Sequence, residues 1–145
     1  MQLHTMLFPT DFSPSAEHAC QQGFALAIRE QGQVFLLHVL GRSNLAFGDT
    51  PLPMRAQLEH ELCAEAEQRL KVLAASQIVP VETLVMWGNP AATICRIAQE
   101  RAIDLIVMST HGRTGLAHLF LGSVAERVVR HAPCSVLIIR TPQQA

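Results

Sequence analysis

Two stretches of this sequence combine backbone and side chains suited to holding a small anionic ligand. The richer one is Ser109-Thr110-His111-Gly112-Arg113-Thr114-Gly115, with Gly122-Ser123 following shortly after. Glycines at 112 and 115 permit backbone angles and close approaches that a side chain would prevent. Successive N–H groups in such a turn form an anion-binding concavity. Gly122-Ser123 opens a predicted helix and presents unpaired amides at the positive end of its dipole. Ser123, Thr110 and Thr114 add hydroxyls, while His111 and Arg113 add side-chain donors. The plainer alternative is that the glycines serve tight turning and Ser123 caps its own helix. The second stretch is Pro9-Thr10-Asp11-Phe12-Ser13, in which Asp11 is the lone acid. Asp11 either ties up backbone N–H groups of its loop or accepts from a base amino group or a ribose hydroxyl.

Several chemistries are excluded by what these stretches lack. The pattern GxxxxGK[ST] is absent, no lysine lies nearby, and no GxGxxG follows the first apolar run. Without a strong cation and a water-activating base, the loops are built for holding a ligand or for slow turnover, not for efficient phosphoryl transfer. No GxSxG elbow supports a serine hydrolase. The histidines at 4, 18, 38, 60, 111, 118 and 131 form no HxH or HExxH pattern, and Cys20, Cys63, Cys95 and Cys134 form no CxxC pair. No metal-ligating residues are therefore assigned. His38 reads as a core or rim polar group, and Trp87 as packing.

The elements that must position these loops follow from the apolar pattern. Short runs at 5–8, 34–40, 79–87, 104–108 and 136–139 have the length and β-branched content of strands. Ser13-Pro14 is a cap followed by a proline at the first helical position, which predicts a helix to about residue 30. Leu58, Leu62, Ala66, Leu70 and Leu73 form a helical stripe over 54–75. Asn89-Pro90 repeats the cap signal, with Ile94, Ile97 and Ala98 facing inward. A fourth helix starts near 121 or 122, carries Val124, Val128 and Val129, and stops at Ala132-Pro133. The order β-α-β-α-β-α-β-α-β implies an α/β fold with an open, doubly wound, five-stranded parallel sheet and helices on both faces. Ligands in such sheets bind outside the carboxyl ends of the strands, where the strand order reverses. Strands one and four adjoining there would set the two loops face to face. The segment 41–53, with two glycines and two prolines, is either a lid or an ordinary surface loop.

Composition agrees with one domain over 1–145: of 145 residues 49% are hydrophobic and 16% charged, enough apolar material for a packed core. A net charge of −1 and a single lysine, Lys71, argue against a nucleic-acid partner. No apolar run approaches the ~20 residues of a membrane span, and no signal segment is evident. The expectation is a cytoplasmic protein whose cysteines are small buried thiols.

The same loops resemble those of the universal stress protein family, over essentially the whole chain. Leu7-Phe8-Pro9-Thr10-Asp11-Phe12-Ser13 resembles its first strand and loop. Met108 to Gly115, continuing through Leu121-Gly122-Ser123-Val124-Ala125-Glu126, resembles its signature, and Pro133 to Ile139 its closing strand. The nucleotide-binding branch shows glycine, two residues, glycine, nine residues, then Gly-Ser or Gly-Thr. Gly112 and Gly122-Ser123 fit that spacing, and the first position holds Ser109. The resemblance implies strand order 3-2-1-4-5. It sets Asp11, with Pro9 and Thr10, by the adenine or ribose, and Val39 at the base. Ser109 and Gly112 would line the ribose-phosphate side. Gly122, Ser123 and Val124 would meet phosphate oxygens, with His111 and Arg113 nearby. ATP, or alternatively AMP or ADP, accompanied by Mg²⁺ or Mn²⁺, is the implied cofactor. The implied role is stress-linked regulation through nucleotide-dependent conformation or binding of a regulatory protein partner, with at most weak ATPase activity. A nucleotide-independent interaction protein is the alternative. In that strand order the last strand is an exposed apolar edge. Antiparallel pairing of 135–140 with its copy would make a homodimer. Coverage by Pro142 and the polar tail is the monomeric alternative.

Overall fold

The computed structural model describes residues 1–41, 48–110 and 121–142. Its strands are β1 (Thr5–Pro9), β2 (Gln33–Leu40), β3 (Val81–Trp87), β4 (Leu105–Ser109) and β5 (Ser135–Ile139). Its helices are α1 (Pro14–Glu30), α2 (Leu52–Ala75), α3 (Pro90–Glu100) and α4 (Ser123–His131). The strands form one sheet of order β3-β2-β1-β4-β5, and every neighbouring pair is parallel. The open, doubly wound α/β fold expected from the sequence is the one observed.

Local chemistry explains most element boundaries. Ser13 Oγ accepts the Ala16 N–H at 3.2 Å and Asn89 Oδ1 accepts that of Ala92 at 3.0 Å, so α1 and α3 begin where their caps predict. Strand β3 begins at Val81 rather than at residue 79. Pro80 accepts the Val34 N–H through its carbonyl at 2.9 Å but has no N–H to extend the ladder.

The helices cover opposite faces of the sheet. On one, Leu7, Phe35, Leu37, Ile106 and Met108 pack with Ile94 and Ile97 of α3 and Val128 of α4. On the other, Met6, Phe8, Val34, Leu36 and Val107 pack with Cys20, Phe24 and Ala27 of α1 and with Leu70 of α2. Each such large side chain contributes about 1.5–3 kcal/mol by leaving water. The predicted α2 stripe is buried only at Ala66 and Leu70, while Leu58 stays 40% exposed. A 24-residue helix spans ~36 Å, whereas the eight residues of β2 span ~26 Å, so one end of α2 overhangs the sheet. Val129 of α4 is also exposed, with only Ala125 and Val128 of that helix buried.

Candidate functional site

The crevice begins with a missing hydrogen bond. Thr10 N–H donates to the Leu37 carbonyl on β2 at 2.8 Å, while the Thr5 carbonyl accepts from Asp104 beside β4 at 2.8 Å. Backbone groups of alternate residues point to opposite sides of a strand, so Pro9 turns its nitrogen toward β4. That nitrogen carries no hydrogen. The β1–β4 pairing stops at Leu7 and Ile106, although β1 stays registered with β2 to Pro9 and β4 with β5 to Ser109. The two central strands therefore part at their carboxyl ends, where the order of connection reverses and where both ligand-competent loops leave the sheet.

On the β1 side the loop is closely tied. Thr10 is buried, and its Oγ1 accepts the Phe12 N–H at 3.1 Å. Asp11 Oδ1 accepts the Ser13 N–H at 2.9 Å, so this carboxylate does tie up a backbone amide of its own loop. Phe12 between them has φ of 64°. A bulky residue in that left-handed region costs about 1–3 kcal/mol, which neighbouring contacts must offset. Two supply such contacts. The His38 ring lies 4.5 Å from the Phe12 ring, and the Arg69 guanidinium carbon lies 4.0 Å from that ring's centre. His38 Nδ1 also donates to the Thr10 carbonyl at 2.7 Å. Thr10, Phe12, Glu17, Gln68, Arg69, Val72 and Leu73 line a cavity of about 270 Å³ beside this loop.

On the β4 side, Gly122 N–H donates to the Thr110 carbonyl at 2.6 Å. Gly122, not Ser123, is the N-cap of α4, and as a glycine it brings no side chain of its own to the cap. Its φ of −62° and ψ of 162° are extended backbone, open to any residue. Glycine is thus not required here by conformation. Ser123 and Val124 begin the helix, Ser123 exposed and Val124 half-buried. Glu126 and Arg130 pair at 2.9 Å on the solvated face.

Of the other expected site residues, Ser109 is the buried last residue of β4. Val39 is half-buried near the end of β2, on the opposite sheet face from His38. His111, Gly112 and Arg113 lie outside the described residues, as does Gly115. Among the described residues no group of three or more His, Cys, Asp or Glu could hold a metal ion, and no helix is long and apolar enough to cross a membrane. The cysteines are free: Cys20 is buried, and Cys63, Cys95 and Cys134 are half-buried. Burial, assisted by the carboxylates of Glu17 and Asp11, pushes the Cys20 thiol up to about 12 and leaves it a poor nucleophile.

Sequence reasoning missed His38 and Arg69 as parts of this site. A histidine in a strand and an arginine on a solvated helix carry no local signal that they meet at Phe12.

Residues 2–140 match the model of the Universal stress protein family. The chain is 34% identical over 143 residues to the universal stress protein MJ0531 of Methanocaldococcus jannaschii, covering 96% of this chain and 83% of that one. It is 28% identical over 151 residues to the universal stress protein MJ0577 of the same organism, covering 93% of each. The solved structure of MJ0577 superposes with a TM-score of 0.86, covering 99% of this chain and 100% of that one. A universal stress protein crystallised in complex with cAMP is 25% identical and superposes with a TM-score of 0.67, covering 98% of this chain and 100% of that one.

Proposed function

The chain belongs to the universal stress protein family, and we propose that it is a one-domain cytoplasmic regulator that binds ATP where β1 and β4 part. AMP and ADP are alternative occupants. The observation that carries this reading is the start of α4 at Gly122, an N-cap with no side chain of its own, set across the switch point from Asp11. Helix N-termini of this kind attract phosphate through unpaired amides and the helix dipole. The relative in complex with cAMP supports an adenine nucleotide as the ligand class.

In this reading the amides of Ser123 and Val124 meet phosphate oxygens, in front of Gly122 and with His111, Gly112 and Arg113 alongside. Asp11, with Pro9 and Thr10, lies at the ribose or base, Val39 receives the base, and Ser109 lines the ribose-phosphate side. Mg²⁺ or Mn²⁺, travelling with the nucleotide, would neutralise phosphate charge. No described group is set up to activate water, so nucleotide state changes conformation or partner affinity rather than driving turnover.

Calorimetric titration with ATP, ADP, AMP and cAMP, with and without Mg²⁺, tests this. Saturable binding of ATP below millimolar concentration is expected; no heat and no retained nucleotide at millimolar ligand overturns it. A second reading, nucleotide-independent homodimerisation, is favoured by β5. Among the described residues that strand pairs only with β4, at the edge of the sheet, and Leu137 is 38% exposed. Antiparallel pairing of 135–140 with a second copy would cover it. Sedimentation with and without ATP separates the two: a dimer that forms equally in both, in a protein that binds no nucleotide, favours the second.

A further inference from the structure

The loop that carries Asp11 is held by its own hydrogen bonds, from Phe12 N–H to Thr10 Oγ1 and from Ser13 N–H to Asp11 Oδ1, and by contacts from outside it. Its turn passes through a left-handed phenylalanine, a conformation that intrinsic backbone preference opposes. The contacts to the loop from outside it come from two distant elements. His38, on β2, reaches the loop twice: Nδ1 donates to the Thr10 carbonyl at 2.7 Å, and its ring stands 4.5 Å from that of Phe12, tilted by 36°. Because a carbonyl only accepts, Nδ1 carries the hydrogen, which fixes the tautomer in this contact. Arg69, on α2, sets its guanidinium carbon 4.0 Å from the centre of the same ring.

We propose that His38 and Arg69 are positioning residues for the Asp11 loop, gripping Thr10 and Phe12 on either side of Asp11 and so aiming its carboxylate into the crevice. This inference rests on the reading of Asp11 as a nucleotide contact, but the grip itself can be tested without nucleotide. Thr10 is fixed on three sides: its N–H to Leu37, its carbonyl to His38 and its hydroxyl to the Phe12 N–H. Phe12 is fixed through its ring. Between these two held neighbours, Asp11 Oδ1 accepts from the Ser13 N–H. Arg69 lies on the solvated side of α2, so it links the position of that helix to the loop.

The hydrogen bond and the ring contact can be separated by substitution. His38→Asn sets an amide donor near the position of Nδ1 but has no ring. His38→Phe keeps a ring and has no donor. Arg69→Met keeps an unbranched stem and loses the cation. Millisecond hydrogen exchange at the Phe12 and Ser13 amides reports the loop directly, with core amides of α1 as the internal control. Exchange at both amides should rise about tenfold in His38→Phe and Arg69→Met, with the controls unchanged, and be largely restored in His38→Asn. Affinity for ATP should fall about tenfold in the same two variants, ~1.4 kcal/mol, and recover in His38→Asn. Exchange within twofold of wild type in both His38→Phe and Arg69→Met overturns the grip, whatever the nucleotide does. Faster exchange with unchanged ATP affinity overturns the positioning role. A wild-type protein that binds no ATP defeats the reading of Asp11, and the exchange experiment still decides the grip.

Discussion

Gly122 and Thr110 are joined by a backbone hydrogen bond of 2.6 Å, from the amide of the one to the carbonyl of the other. The bond brings the end of the signature segment back to the place where that segment leaves β4. It also consumes the Gly122 N–H, so the amides available to an anion are those of the first turn of α4.

Gly122→Ser should therefore separate stability from binding. The glycine sits at an N-cap with extended angles that serine adopts freely, and it brings no side chain of its own to the cap. A serine hydroxyl there would accept from a first-turn amide and gain a few tenths of a kcal/mol, about 1 °C in Tm. The same hydroxyl would compete with phosphate for that amide. Thermal melts should rise slightly while calorimetric ATP affinity falls about tenfold, ~1.4 kcal/mol. An affinity equal to wild type would remove Gly122 from the phosphate site.

What the sequence made legible was local. Ser13-Pro14 and Asn89-Pro90 marked helix starts because cap and proline act within three residues of themselves. Ile94, Ile97 and Ala98 identified a buried face because helical spacing leaves little choice. The boundaries that shifted did so for reasons beyond the local pattern. Val79 lies in an apolar run, yet Pro80 delays β3. Leu58 continues a regular stripe, yet the sheet is too short to cover all of α2. Ser123 looked like a capping residue, yet the helix begins one position earlier than its hydroxyl would need, at Ser123 itself. The meeting of Phe12 with His38 and Arg69 had no sequence signal, since it joins three separate elements and phenylalanine is not a residue that announces a left-handed turn.

Asp104 gives the protein a defined acid sensitivity. Its carboxylate accepts from the Thr5 N–H at 2.9 Å, the Thr5 hydroxyl at 3.0 Å and the His4 N–H at 2.9 Å, joining β1 to the start of β4. The Thr5 backbone bond first, with the Thr5 hydroxyl and the His4 amide and charge, holds the carboxyl below its ordinary 3.8, against a smaller opposing effect of burial. A depressed carboxylate contributes stability that is full above its unfolded value and is lost as pH falls through the folded one. The contribution should therefore be complete at pH 5 and above and shrink below 3.8. Asp104→Asn should cost about 1 kcal/mol or less at neutral pH, the group being only half-buried. It should also flatten the acid limb of a urea-unfolding series. A parallel loss in both proteins between pH 5 and pH 3 would contradict this assignment.

Gly23 sets two stability effects against each other. In the middle of α1, replacing glycine by alanine gains up to ~1 kcal/mol in helix propensity. A Cβ at this position would stand 2.7 Å from Phe8 Cζ. Phe8 is fully buried and meets Phe24 edge to face at 5.1 Å, so it has little room to retreat. Overpacking of a core costs about 1–3 kcal/mol. Gly23→Ala should thus be net destabilising by about 1 kcal/mol in equilibrium urea unfolding. A gain in stability would mean that the Phe8 ring moves more easily than its burial indicates.

Pro9 offers the most direct test of how the crevice is made. Its nitrogen faces β4 and cannot donate, and the β1–β4 pairing ends at Leu7 and Ile106. Pro9→Ala restores an N–H at the point where the strands part. The new bond contributes about 0.5–1.5 kcal/mol, while loss of the proline's restraint on the unfolded chain costs about 0.4–1 kcal/mol. The two nearly cancel, so global stability should stay within about 1 kcal/mol of wild type. The geometry should not stay the same. A protected amide should appear at residue 9, the carboxyl ends of β1 and β4 should draw together, and ATP affinity should fall about tenfold, ~1.4 kcal/mol, because the Asp11 loop is pulled toward β4. Hydrogen exchange and calorimetry on the same sample check both halves. A residue-9 amide that exchanges as freely as an open loop would show that something other than the missing donor holds the central strands apart.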